Sequence, residues 1–152
     1  WSLHHIWLAM EEALELLQAK DTKERMAGVE RLQALLEQSR RSLSALEVAN
    51  LVDASLVLLK DNNFRVCQGA LQALASASAL SSEHLKLHFN VLLPAIAERL
   101  GDGKQPVRDA ARRLLLALME VRFDFSTLLA PSEALFSFLK SAWLVFLASF
   151  YA

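Results

Sequence analysis

The chain has 152 residues, 54% of them apolar and 22% charged, which is enough for one domain with a sizeable core. Sixteen Lys and Arg against 17 Asp and Glu leave a net charge of −1, so no bulk field exists to hold nucleic acid or an anionic membrane, and a charged partner must meet a local patch. The single Cys67 excludes an internal disulfide, and with no basic n-region or cleavage-site pattern the expected setting is reducing and cytoplasmic.

Four Gly, three Pro and the lack of period-two runs of branched or aromatic residues predict an all-α fold. Residues 1–9 extend neither the capping nor the repeat pattern and are read as an N-terminal extension. From residue 10 the apolar spacing predicts three helix pairs, at about 10–40, 42–80 and 82–121. In the first pair Met10, Ala13, Leu14 and Leu17 share a face. After a break at Lys20-Asp21-Thr22, so do Met26, Val29, Leu32 or Gln33, and Leu36. Asp21 with Glu24 has the spacing of a capping box, as does Ser44 with Glu47 ahead of the second pair.

In the second pair Val48, Leu51, Val52, Ser55 and Leu59 run into a turn at Asp61. The helix that follows buries small residues, Val66, Gly69, Ala70, Ala73, Leu74 and Ala77, which permit close approach of a neighbour. In the third, Glu83 suits a first helical turn, Leu85, Phe89, Leu92, Ile96 and Leu100 share a face, and Pro106 fits the first turn of a last helix. Val107, Ala110, Ala111, Leu114, Leu115 and Leu118 carry that helix to about residue 120. Residues 122–152 then change character: Ser141 to Ala152 has no charge at all. The stretch 134–150 is too short and, with Lys140 inside, marginal for a bilayer span of about 20 residues, so it is read as a capping helix or a non-homologous tail.

One turn is written twice, Leu59-Lys60-Asp61-Asn62-Asn63-Phe64-Arg65-Val66 and, 41 residues later, Leu100-Gly101-Asp102-Gly103-Lys104-Gln105-Pro106-Val107. Aligned on Asp21, Asp61 and Asp102, a core residue follows five positions on in each, Met26, Val66 and Val107. A period near 40 with two helices per repeat indicates a HEAT- or armadillo-type solenoid, here a truncated one of three repeats.

The stretches Met10 to Leu16, Lys20 to Leu32, Leu58 to Val66 and Gly103 to Ala111 resemble the amino-terminal TOG domain of the CLASP (CLIP-associated protein) family, the plant members especially. The resemblance covers about residues 10–121. It implies a paddle of HEAT repeats whose intra-repeat turns grip the αβ-tubulin heterodimer, the first three turns facing β-tubulin. Family members have six repeats, so the half that reaches α-tubulin is not matched here. By position it implies Lys20, Asp21 and Lys23 in turn one, Asn62, Asn63, Phe64 and Arg65 in turn two, and Lys104, Gln105 and Arg108 in turn three as tubulin-binding residues.

The side chains themselves also suggest an edge, since successive turns of a solenoid align and Lys20, Lys23, Arg65, Lys104 and Arg108 would form a basic stripe. The bland alternative is that Asp61 and Asp102 cap helices and Arg108 pairs with a neighbouring repeat's acid. Phe64 is either an exposed contact or a plug between repeats. His84 and His88 lie four apart but lack further ligands, so no metal or cofactor is expected. Cys67 reads as core filler. Arg40-Arg41 and Arg112-Arg113 are too sparse for a nucleic-acid footprint, and no catalytic constellation or phosphate loop is present. The expected function is a microtubule-associated, tubulin-binding module, in the cytoplasm on the cytoskeleton. The alternative is a generic HEAT scaffold that receives a partner helix, and an enzyme ranks last.

Overall fold

Each apolar stripe picked out by three- and four-residue spacing is wound into a helix and buried. The computed structural model describes residues 3–122, and among them are seven α-helices and no strand: α1 (Leu3–Leu17), α2 (Thr22–Gln38), α3 (Ala45–Leu58), α4 (Phe64–Leu80), α5 (Ser82–Lys86), α6 (Phe89–Arg99) and α7 (Gln105–Arg122). The expectations for residues 123–152 lie outside the described residues. Helix α1 packs on α2, α3 on α4, and α6 on α7. The second helices α2, α4 and α7 stack side by side, and α1, α3 and α6 form the other layer. Between the layers lies one core running from Met10 to Leu118.

Side-chain caps open two of the helices, α3 and α4. Ser44 opens α3 with a complete capping box: its hydroxyl accepts from Glu47 N at 3.2 Å, and the Glu47 carboxylate accepts from Ser44 N at 2.7 Å. Asn63, not Asp61, caps α4, its carbonyl accepting from Arg65 N at 2.9 Å and Val66 N at 3.4 Å. Asp61 and Asp102 instead accept from the backbone N–H two residues on, Asn63 at 2.8 Å and Lys104 at 2.9 Å, and so close the turns.

Three sequence expectations are corrected. The box at Asp21 is not formed: Asp21 stands at the N-cap of α2 but makes no side-chain capping bond. Residues 3–9 are not a separate extension, because α1 runs through them without a break into Met10. The helix expected from Glu83 to Leu100 is two, α5 and α6, separated at Leu87-His88 by tight bonds from Leu87 N to His84 O and His88 N to Leu85 O. Its apolar face survives the break, with Leu85, Phe89, Leu92, Ile96 and Leu100 all buried.

Two glycines set how closely helices approach. A Cβ at Gly28 would lie 2.8 Å from Leu16 Cβ, where α1 meets α2. One at Gly69 would lie 2.0 Å from Val29 Cγ1, where α2 meets α4. Neither distance is compatible with a methyl group, so the close crossing depends on the missing side chain. The loops between pairs are held by Ser81, whose hydroxyl accepts from Leu43 N and donates to Leu43 O at 3.2 Å. They are held as well by Arg41, whose guanidinium grips Glu47 at 2.6 and 3.0 Å.

Gly69→Leu should overpack the α2–α4 contact and cost about 1–3 kcal/mol in denaturant unfolding, although Leu is the better helix former. A mutant as stable as the parent would refute the close crossing. Glu47 supplies a pH test. The hydrogen bonds from Arg41 hold its carboxyl below the ordinary value of 4.5, outweighing burial, which acts the other way. A lowered folded-state pKa favours the fold only while the group is ionised, so this stability is present above the ordinary value and lost as pH falls through the folded-state one. Urea unfolding followed from neutral pH to about pH 3 should show a loss that Arg41→Met reduces.

Candidate partner-binding edge

The three intra-pair turns, Gln18 to Asp21, Leu59 to Asn63 and Leu100 to Lys104, connect first helices to second ones. Contacts between them join the turns into one edge. Arg25, in the second half of the first turn of α2, reaches across to the next turn, donating from Nε to Asp61 Oδ2 at 2.7 Å and from Nη2 to Asp61 Oδ1 at 3.4 Å. Its Nη1 simultaneously donates to the carbonyls of Ala19 at 3.0 Å and Lys20 at 2.8 Å. The side chains of Arg25 and Asp61 are only 18% and 8% exposed, so this pair is shielded and braced, unlike an ordinary surface ion pair.

Between the second and third turns the linkage is different in kind. Lys104 Nζ lies 5.6 Å from the centroid of the Phe64 ring, and the Arg65 guanidinium lies 5.9 Å from it, both within cation–π range. Phe64 is half-buried and packs on the core, so it is a plug between repeats that still shows a face at the edge. By the repeat alignment, Arg65 stands where Arg25 does and would be expected on Asp102. Instead Asp102 is taken by Arg99 at 3.3 Å, from the end of its own α6, and Arg65 stays exposed.

The ten candidates thus divide by what they already hold. Lys20, Asp21, Lys23, Asn62, Arg65 and Lys104 are exposed. Asn63 is engaged as the α4 cap, and Gln105 is exposed but bonds Asp109 at 2.7 Å. Arg108 folds back on its own turn, donating to Asp102 O at 2.6 Å and to Gln105 Oε1. The pairing of Arg108 with a neighbouring repeat's acid is therefore not what the fold contains. Arg25 was missed as an edge residue; its shared position with Arg65 in the repeat was the available signal. Because Asp61 is neutralised by Arg25 and Asp102 by Arg99, the outward charge of the edge comes mainly from Lys20, Lys23, Lys60, Arg65 and Lys104, against Asp21.

Other chemistry is absent from the edge. Cys67 is 2% exposed beside the second turn, its Sγ 3.5 Å from Leu59 O, and burial pushes its thiol up to about 11, so at neutral pH it is a protonated core side chain. Among the described residues no three His, Cys, Asp or Glu side chains converge as metal ligands, and no helix is long and apolar enough to cross a membrane.

A family model described as GCN1-like, C-terminal HEAT repeats matches residues 12–124. The chain belongs to the HEAT-repeat family. Within it, this HEAT-repeat chain is 63% identical over 136 residues to the CLIP-associated protein of Arabidopsis thaliana, a match covering 90% of this chain and 9% of that protein. It is 26% identical over 102 residues to the CLIP-associating protein of Drosophila melanogaster, 67% of this chain and 7% of that one. It is also 29% identical over 116 residues to the human TOG array regulator of axonemal microtubules protein 1, 76% of this chain and 7% of that one. The chain therefore spans less than a tenth of the length of these relatives. Among solved structures, the MAST/Orbit N-terminal domain superimposes with a TM-score of 0.65 at 24% identity, covering 72% of this chain and 48% of that one, which establishes a shared fold. The CLASP resemblance read from the turn residues is borne out by these matches.

Removing either partner of the Arg25–Asp61 link should loosen the first two turns. In a double-mutant cycle with Arg25→Met and Asp61→Asn, a coupling of about 1.5–3 kcal/mol is expected, in the range of hydrogen bonds to charged groups. Additive effects would mean that the pair is incidental.

Proposed function

We propose that this HEAT-repeat chain is a TOG-type module that binds αβ-tubulin through its intra-pair turns, chiefly on β-tubulin, and acts in regulating microtubule stability and dynamics at the cytoskeleton. The observation that carries this reading is the edge itself: three turns joined by Arg25–Asp61 and Phe64–Lys104, with Lys20, Lys23, Arg65 and Lys104 facing outward on a chain of net charge −1. A cationic row on a near-neutral protein suits an acidic protein surface, and solenoid turns offer it at the repeat spacing. The similarity to CLIP-associated proteins and to a protein named as a regulator of axonemal microtubules supports the same direction. No catalytic role is assigned, as the one cysteine is buried and its thiol protonated.

The test is co-elution of the purified chain with unpolymerised tubulin. Replacing Lys20, Lys23 and Lys104 together by Glu should weaken binding at least about tenfold, the equivalent of about 1.4 kcal/mol, with helical circular dichroism unchanged. Arg108 is left intact because its reversal would disturb the third turn and confuse charge with shape. Equal co-elution of the triple variant would overturn the edge as the binding surface.

A further inference from the structure

The layer of first helices carries a second surface, of opposite charge to the turn edge. Helices α1 and α3 lie side by side, and between them runs an open groove of about 730 Å³. From α1 it is lined by Glu11, Leu14 and Glu15, and from α3 by Asp53, Ala54 and Val57. These residues recur at three- and four-residue spacing, so on each helix they form one ridge, and with Leu17 and Gln18 on one side and Asn50 on the other the groove is about two helical turns long. Its floor is apolar. Val57, part of the lining, is 72% exposed.

The rim is acidic and uncompensated. Glu11, Glu15 and Asp53 have no ion-pair partner among the described residues, and no cation lines the groove. Glu12, next to Glu11 but facing α2, is by contrast taken by Arg31 at 2.7 Å. Three like charges flanking an apolar strip repel one another and gain from a cationic ligand that also covers the strip.

We propose that the α1–α3 groove docks a basic amphipathic helix of a partner protein, whose aliphatic side chains lie over Leu14, Ala54 and Val57 while its Lys or Arg residues meet Glu11, Glu15 and Asp53. A helix fits because a groove between two ridges accepts anchors one and two turns apart. An acidic partner is repelled by the rim, so the ligand of the turn edge cannot be the ligand here. The groove adjoins the edge at Gln18 of the first turn but shares no charged residue with it, and it stands or falls independently of tubulin binding.

The experiment uses the full chain and a fluorescein-labelled model helix with Leu at positions i, i+3 and i+7 and Lys on the flanking positions, titrated by anisotropy. Glu11→Lys, Glu15→Lys and Asp53→Lys combined should weaken binding at least tenfold, and Val57→Asn, which removes apolar contact without adding charge, should weaken it as well. A control carrying Glu24→Lys, Glu30→Lys and Glu37→Lys reverses as many charges on α2 and should bind like the parent. A peptide with Glu in place of every Lys should not bind. Equal loss in the α2 control would reduce the interaction to net charge, and unchanged binding by the groove variants would remove the site. Either result overturns the proposal, as would self-association of the chain that the groove variants abolish. Methyl chemical-shift changes confined to Leu14 and Val57 would support it even if one charge variant were poorly folded.

Discussion

Everything at the turn edge depends on how closely the second helices can approach one another. The intra-pair turns are the N-terminal leads of α2, α4 and α7, so the distance between those helices is also the spacing of the turns. That distance is set where Gly69 lies against Val29 and where Ala70, Ala73 and Ala77 leave α4 slim enough to be sandwiched between α2 and α7. A bulkier residue at position 69 would push α4 away from α2, and the reach from Arg25 to Asp61 would lengthen with it. Packing in the layer and hydrogen bonding along the edge are thus two consequences of one steric constraint.

Within that frame the two turn-to-turn links are unequal. Arg25 holds Asp61 and two carbonyls of its own turn in a shielded setting, where charge-assisted bonds are short and poorly screened. Lys104 over Phe64 is a softer contact, a cation on the face of a half-buried ring with its ammonium exposed. The first two turns form a stiff pair, while the third is attached through a contact that a competing anionic surface could draw on. That gradation follows from burial: the same charge is worth more where water is excluded.

The distribution of charge is as informative as its sum. A net charge of −1 conceals a cationic row at the turns and an acidic groove between α1 and α3. Neither surface neutralises the other, because the turns lie at the ends of the helices and the groove along their flanks. A cationic row and an acidic groove thus coexist on a small chain with no bulk field.

The helical class, the 40-residue period, the core stripes and the acid at each turn are legible in the sequence because they are local: helix periodicity and backbone capping act within a few residues. Val66, Val107 and the small residues of α4 read directly as buried for that reason, and the family resemblance of the turns followed from the same contiguous residues. What the linear pattern could not decide was which long side chain reaches which turn. Asp61 and Asp102 look alike, yet one is taken by Arg25 from the preceding pair and the other by Arg99 from its own helix. Asp21 has the spacing of a cap and makes no capping bond, and Arg108 has the position of a contact and braces its own turn. The break at Leu87-His88 likewise leaves the apolar period intact and so leaves no mark on it. Sequence alone determined the helical class, the repeat and the core stripes; tertiary structure decided the partners of the charges, because a turn acid such as Asp61 can be claimed by an arginine 36 positions away or, like Asp102, by one on its own helix, a choice that local periodicity does not encode.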